Sequence, residues 1–257
     1  MAEQQKSKHP RHSEQIVCGH HASLAALRAR LPDVLRLFYH RELVPDLKPF
    51  LSTLAQQKAI YRQVEDEELS RIAGSRTHQG LVVVLRLAQT PMLDMKIISA
   101  LATQPGTVIA LDGVGNPHNL GAIARTAAFF GAKGLLLSDE GAAAIRSTAA
   151  YRTAEGGMEA LQLWRSADLA ADIATFVAAG GHAVGLAVQA KQALDAVRGH
   201  AQTRSVLLVA GAEELGARPA VLRACSQVVR IGSGQGSAVQ SLNVGVATGI
   251  ALFALDN

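Results

Sequence analysis

Apolar and polar positions alternate along this chain in two rhythms, short continuous apolar runs and longer stretches with an apolar residue every third or fourth position. The first rhythm predicts buried strands and the second amphipathic helices. In the first third, the runs at 16–18, 34–39, 60–64 and 81–87 read as strands. Between them lie a helix carrying Leu24, Leu27, Arg28 and Leu31 and ended by Pro32, a helix at 47–57, and an acidic-started helix at 65–72. These elements predict a small α/β domain over 14–88, preceded by a polar, Lys- and His-rich tail at 1–13 that is expected to be disordered. A linker is expected at 89–105, where Gln-Thr-Pro and Gln-Pro-Gly breaks flank a short apolar piece.

From 106 onward the alternation resumes. Strands are expected at 107–111, 134–137, 182–188, 205–210 and 227–231, with helices at 119–130 and 168–179, a helical region through 142–151, a helix opened by Pro219, and a terminal helix from Leu242. Strands separated by helices imply a parallel sheet, and ligands of such sheets sit beyond the carboxyl ends of the strands. The loops at 116–119, 211–216 and 232–241 all leave strands at that edge, so three loops could build one site.

The stretch 111–131 organises the rest. Asn119 is placed to cap a helix, Gly131 to end it in a left-handed turn, and Leu120, Ile123, Ala124, Ala127 and Ala128 form its apolar stripe. Arg125 is the single charge in that run and requires solvent or a partner. It lies six residues beyond Asn119, about 120° away around the helix at roughly 100° per residue, so spacing alone does not make the two converge. The terminal helix carries Leu242, Val246, Ile250 and Phe253 on one face, while Ala247, Ala251, Ala254 and Leu255 make the other side apolar too. Such a helix is buried in a core or an interface.

Composition narrows the function classes. The 257 residues are 49% hydrophobic and 18% charged, with mean hydropathy +0.17, which fits a folded globular chain. An excess of 25 Lys+Arg over 21 Asp+Glu gives a net charge of +4, which favours polyanionic partners and equally suits a solvated basic surface. Two cysteines, Cys18 and Cys225, without paired ligand spacing suggest a reducing compartment and no zinc site. The longest apolar run, 244–255, is too short to span a membrane, and a signal peptide's apolar core is lacking at the start, so a cytoplasmic location is expected. Glu65, Asp66, Glu67 and Glu68 suit the positive end of a helix better than a metal. His20 and His21 could touch phosphate or serve as cap or surface residues, and His78-Gln79-Gly80 sits before a strand.

Single motifs decide little. Gly232-Ser233-Gly234-Gln235-Gly236 lacks the Gly-Lys-Ser/Thr ending of a nucleoside triphosphate loop, and Asp112-Gly113-Val114-Gly115 lacks the third glycine of a dinucleotide turn. Taken one at a time, Asn119 reads as a helix cap, Arg125 as a surface arginine, Glu213 as a turn residue and Asn243 as a second cap. Jointly they are more specific. Asn116-Pro117-His118-Asn119-Leu120-Gly121-Ala122-Ile123-Ala124-Arg125-Thr126, Gly211-Ala212-Glu213 and Ser241-Leu242-Asn243-Val244 resemble, in order and spacing, the three motifs of the SpoU/TrmH family of RNA ribose 2′-O-methyltransferases. The segments at 64–69 and 78–80 are similar to that family's smaller substrate-binding domain of ribosomal-protein L30e type.

That resemblance implies a parallel-sheet α/β catalytic domain over 106–257 whose C-terminal segment is threaded as a trefoil knot of SPOUT type, behind the L30e-like domain. It implies S-adenosylmethionine as methyl donor, structured ribosomal or transfer RNA as substrate, a homodimer whose active sites use both subunits, and neither a metal nor a membrane. By motif, Arg125 matches the arginine that activates the ribose hydroxyl, with Asn119 beside it. Gly211, Ile231 and Leu242 match cofactor-contacting positions, and Glu213, Ser241 and Asn243 shape the shared pocket. The chain departs from the pattern where Gly232 follows Ile231 in place of proline and a Gly/Ser-rich run extends to Gln240, which predicts a looser cofactor loop. The alternative function is an RNA-binding or ribosome-assembly protein that keeps this fold without catalysis.

Overall fold

The computed structural model describes residues 13–232 and 238–257. The expected disordered tail, save its last residue, and the centre of the Gly/Ser-rich loop lie outside the described residues.

The first unit is a four-stranded sheet of order β1-β4-β2-β3, formed by β1 (Glu14–Cys18), β2 (Val34–Tyr39), β3 (Ile60–Gln63) and β4 (Leu81–Arg86). β4 runs antiparallel to β1 and β2, while β2 and β3 are parallel. Helices α1 (His20–Arg30), α2 (Val44–Gln56) and α3 (Asp66–Ala73) connect them. Asp66, Glu67 and Glu68 occupy the first turn of α3, where the partial positive charge of the helix end favours carboxylates.

The segment expected as linker folds as α4 (Met95–Thr103), capped by Asp94, which accepts from the Ile97 N–H at 2.8 Å. Ile98 and Ala102 bury this helix against the second unit.

That unit is a seven-stranded sheet, parallel throughout, of order β7-β6-β5-β10-β8-β11-β9. Its elements are, in chain order, β5 (Gly106–Asp112), α5 (Pro117–Phe129), β6 (Gly134–Leu137), α6 (Asp139–Ala144), α7 (Thr148–Ala154), α8 (Gly157–Ala160), β7 (Gln162–Arg165), α9 (Leu169–Ala178), β8 (His182–Leu186), β9 (Gln192–Ala193), α10 (His200–Thr203), β10 (Ser205–Gly211), α11 (Pro219–Ala224), β11 (Gln227–Arg230) and α12 (Val244–Asp256). Alternate residues of β5 face opposite cores: Ile109 and Leu111 point into the layer of α5, α7 and α12, and Val108 and Ala110 into that of α4, α9 and α11. A sheet covered on both faces explains why its strands read as unbroken apolar runs. The first of these cores continues through Val17 and Leu85 of the small sheet and Leu27 of α1, so the two units share packing.

Strand order reverses between β5 and β10, which pair from Ser205 opposite Gly106 to Gly211 opposite Asp112. The carboxyl ends of these two central strands therefore form the switch point at which α/β sheets bind ligands.

Candidate active site

The site is built on the last residues of β5 and β10. The Asp112 side chain, 2% exposed, accepts from the Arg218 backbone N–H at 2.7 Å and from its guanidinium Nε at 2.8 Å, with Nη2 also 2.7 Å away. Backbone follows the same route, since the Ala212 N–H donates to the Asp112 carbonyl at 3.0 Å. The carboxylate holds the Arg218 guanidinium above its ordinary pKa. Nearby, a backbone N–H and the Ser138 hydroxyl hold the Glu140 carboxyl below the usual range. Gly211 is required by the chain itself: a Cβ there would lie 1.9 Å from the Ala217 nitrogen and 2.1 Å from the Gly216 carbonyl carbon. The loop folds back on its own first residue.

Three of the sequence-predicted residues meet above this base. Asn243 caps α12, its Oδ1 accepting from the Gly245 N–H at 2.9 Å. Its Nδ2 donates to Asn119 Oδ1 at 3.0 Å and also to Glu213 Oε1. The reading of Asn243 as a cap is thus correct, and the same side chain ties three loops together. The helix begins at Val244, two residues later than expected, because the cap precedes it. Asn119 is not a cap. Asn116 takes that role, accepting from the His118 N–H at 2.9 Å, since Pro117 fits the first helical position and lacks an N–H to satisfy. Asn119 is thereby freed to point into the cluster from the first turn of α5. Leu242, 45% exposed, and Ser241 flank Asn243, while Ile231 packs against the first core.

Arg125 makes a different contact. Its Nη2 lies 2.9 Å from Glu155 Oε2, beyond the end of α7, and among the described residues no hydrogen bond joins it to the Asn119 cluster. The 120° separation on the helix is kept in the fold.

Several contacts of chemically active residues escape sequence reasoning. Asp112 and Arg218 are 106 positions apart, and nothing local announces their pairing. Arg152 of α7 donates to Ser75 Oγ at 3.0 Å and to Thr77 Oγ1, clasping a loop of the small sheet. Within that loop His78 is buried; its Nδ1 accepts from the Gly80 N–H at 3.2 Å, so Nε2 carries the proton offered to Ser70 Oγ at 3.1 Å. His20 lies 3.0 Å from Asp46 at the surface. Among the described residues no group of three or more His, Cys, Asp or Glu could hold a metal ion, and no helix is long and apolar enough to cross a membrane.

Comparison with known proteins gives a consistent picture. Residues 106–253 match the model of the SpoU rRNA Methylase family, and residues 16–91 match that of RNA 2′-O ribose methyltransferase substrate binding. The chain is 30% identical over 245 residues to the 23S rRNA (guanosine-2′-O-)-methyltransferase RlmB of Nitrosomonas europaea, covering 93% of this chain and 90% of that protein. It is 32% identical to the RlmB of a Burkholderia species, covering 93% and 94%. In fold it is similar to the AdoMet-bound rRNA methyltransferase of Sinorhizobium meliloti, with a TM-score of 0.74 and 24% identity over 95% of this chain and 87% of that one.

Proposed function

Because the chain belongs to the SpoU rRNA Methylase family, we propose that it transfers a methyl group from S-adenosylmethionine to a ribose 2′-hydroxyl of structured RNA, with ribosomal RNA the first substrate to test. The observation that carries this reading is the hydrogen-bonded meeting of Asn119, Glu213 and Asn243, one from each motif, over the β5/β10 switch point. Residues 106–257 are read as the catalytic part and 14–88 as the part that captures RNA, joined by 89–105.

The residues present suit the donor. Glu213 offers a negative charge to a sulfonium or ammonium group, and Leu215 and Leu242, both exposed, offer apolar surface to an adenosine. Bound there, S-adenosylmethionine supplies an electrophilic methyl group. The chain positions the rest: Asn119, Glu213 and Asn243 fix the pocket wall, and Ser241 and the backbone at Gly211 and Ile231 complete the rim. Transfer would join the ribose oxygen to the donor's methyl carbon as the carbon–sulfur bond breaks, and the hydroxyl proton would pass to a phosphate oxygen of the bound RNA, because an arginine cannot accept it. Arg125, a permanent cation, stabilises the developing alkoxide. Positioning of this kind lowers barriers by on the order of 7–11 kcal/mol in favourable cases.

The same reading includes a homodimer. Leu242, just before α12, and Val246, Ile250 and Phe253 within it are exposed, as is Phe129 of α5 at 82%, although both helices pack against each other. Pairing these faces in two copies buries them and brings Arg125 of one protomer toward the partner's pocket. The knot is proposed with it; the packing of α12 back onto α5 supports that path. Tritium transfer from labelled S-adenosylmethionine into RNA tests the activity, and no transfer together with salt-sensitive RNA binding would establish the non-catalytic alternative. Mixing inactive Arg125→Ala with inactive Glu213→Ala tests the shared site. Recovery of about a quarter of wild-type activity is expected, from mixed dimers holding one intact site; none would place each site within one chain.

A further inference from the structure

We infer that Glu155 is a positioning residue for methyl transfer, fixing the guanidinium of Arg125 in its working orientation; this rests on the reading of Arg125 given above. Glu155 Oε2 and Arg125 Nη2 are 2.9 Å apart, and among the described residues Nε and Nη1 of the arginine have no acceptor and can donate elsewhere. Both side chains are partly solvated, at 58% and 39% exposure, and ion pairs of that kind contribute little to stability. The pair must be judged by what it orients.

The backbone says that the side chain at 155 is held at a cost. Glu155 ends α7 with φ 46° and ψ 41°, the left-handed conformation in which glycine is favoured and other residues are uncommon. Glycines follow immediately, and Gly157 explains what the turn does. A Cβ on Gly157 would stand 2.7 Å from the Ala124 carbonyl oxygen and 2.9 Å from the Arg125 Cα. The 155–157 turn therefore presses on the Arg125 backbone from one side while the Glu155 carboxylate holds the tip of its side chain. A strained non-glycine residue whose ion pair among the described residues is with Arg125 is placed for that arginine's orientation.

Glu155→Gly separates this role from folding, because glycine adopts φ 46° freely. The variant is expected to melt at or above the wild-type temperature, to lose about tenfold in kcat, and to keep its KM for RNA within about twofold, the pattern of an interaction used in the transition state. Glu155→Gln, which keeps an acceptor oxygen, is expected to fall between the two. In the Arg125→Ala background Glu155→Gly should remove nothing further. A readout independent of turnover is the side-chain NMR of Arg125: slow rotation of its guanidinium in the wild type and fast rotation in Glu155→Gly. A Glu155→Gly kcat equal to wild type while Arg125→Ala is crippled would overturn the inference and leave the reading of Arg125 standing. Full activity in Arg125→Ala would overturn that reading, and the inference with it.

Discussion

Of the places in the molecule that bury a carboxylate beside an arginine, two treat it in opposite ways. At the carboxyl edge of the large sheet, Asp112 takes the backbone N–H and the guanidinium of Arg218 together. At the seam between the two sheets, Glu159 Oε1 of α8 lies 3.8 Å from Arg30 Nη1 and has no hydrogen bond among the described residues. Arg30 directs its donors to the Arg86 carbonyl, at 2.7 Å, and to Gln15. The pairing differs because the tasks differ. The edge must hold the ends of β5 and of the 211–217 loop in register for Asn119, Glu213 and Asn243 to meet. The seam has only to keep two packed units together, which shared apolar burial already does.

The largest effect is expected where the paired charge is broken. Arg218→Ala leaves the Asp112 carboxylate buried with one backbone donor, and removing one partner of a buried pair costs about 3 kcal/mol, the low end of the range because the arginine itself is solvated. For a chain of this length that is roughly a 5–10 °C drop in Tm. Calorimetry reads it, and a variant melting within a degree of the wild type would erase the contrast between edge and seam.

A second, smaller effect separates two explanations of the same glycine. Ligand approach and loop folding both demand glycine at 211, but only the second predicts a loss of stability without any ligand. Gly211→Ala forces Gly216 and Ala217 away, at about 1–3 kcal/mol. It should also weaken S-adenosylmethionine binding through Glu213. Urea unfolding and calorimetric titration check the two halves, and weakened binding at unchanged stability would restore the ligand explanation.

These residues also show what the sequence carries and what it does not. Most strands are legible as short, largely apolar runs, even where Arg36 interrupts β2 and β3 ends in Arg62 and Gln63, and the large sheet's parallel order follows from the helices between them. The Asn119–Glu213–Asn243 meeting is legible through motif spacing. Strand β7 is not, since Gln162 and Arg165 bracket a two-residue apolar core too short to signal a strand. Helix α4 hides behind the breaks on either side of it, and its burial is set by the distant Trp164 and Leu207 sharing its core. Asp112 and Arg218 are legible only in three dimensions. Glu155 has a local signal, an acidic residue before two glycines at the end of a helix, but its partner Arg125 is thirty positions away by number alone.

The smallest effect tests the seam. Burial pushes the Glu159 carboxyl above its ordinary value of 4.5, with Arg30 pulling the other way and Asp33 adding to the rise. The folded chain therefore keeps the Glu159 proton to higher pH than the unfolded chain does. Its contribution to stability is fully present below the unfolded pKa and is lost as pH rises through the folded one. Glu159→Gln fixes the neutral form and removes that loss. The variant should match the wild type under acidic conditions and exceed it near neutral pH by about 1 kcal/mol, the scale of an unsatisfied buried acceptor. Thermal melts of both proteins between pH 4.5 and neutrality follow the difference. A gap that widens with rising pH marks Glu159 as the underpaired acid of the seam. A variant less stable than the wild type at neutral pH would mean that the Arg30 contact holds the seam as firmly as Arg218 holds the edge.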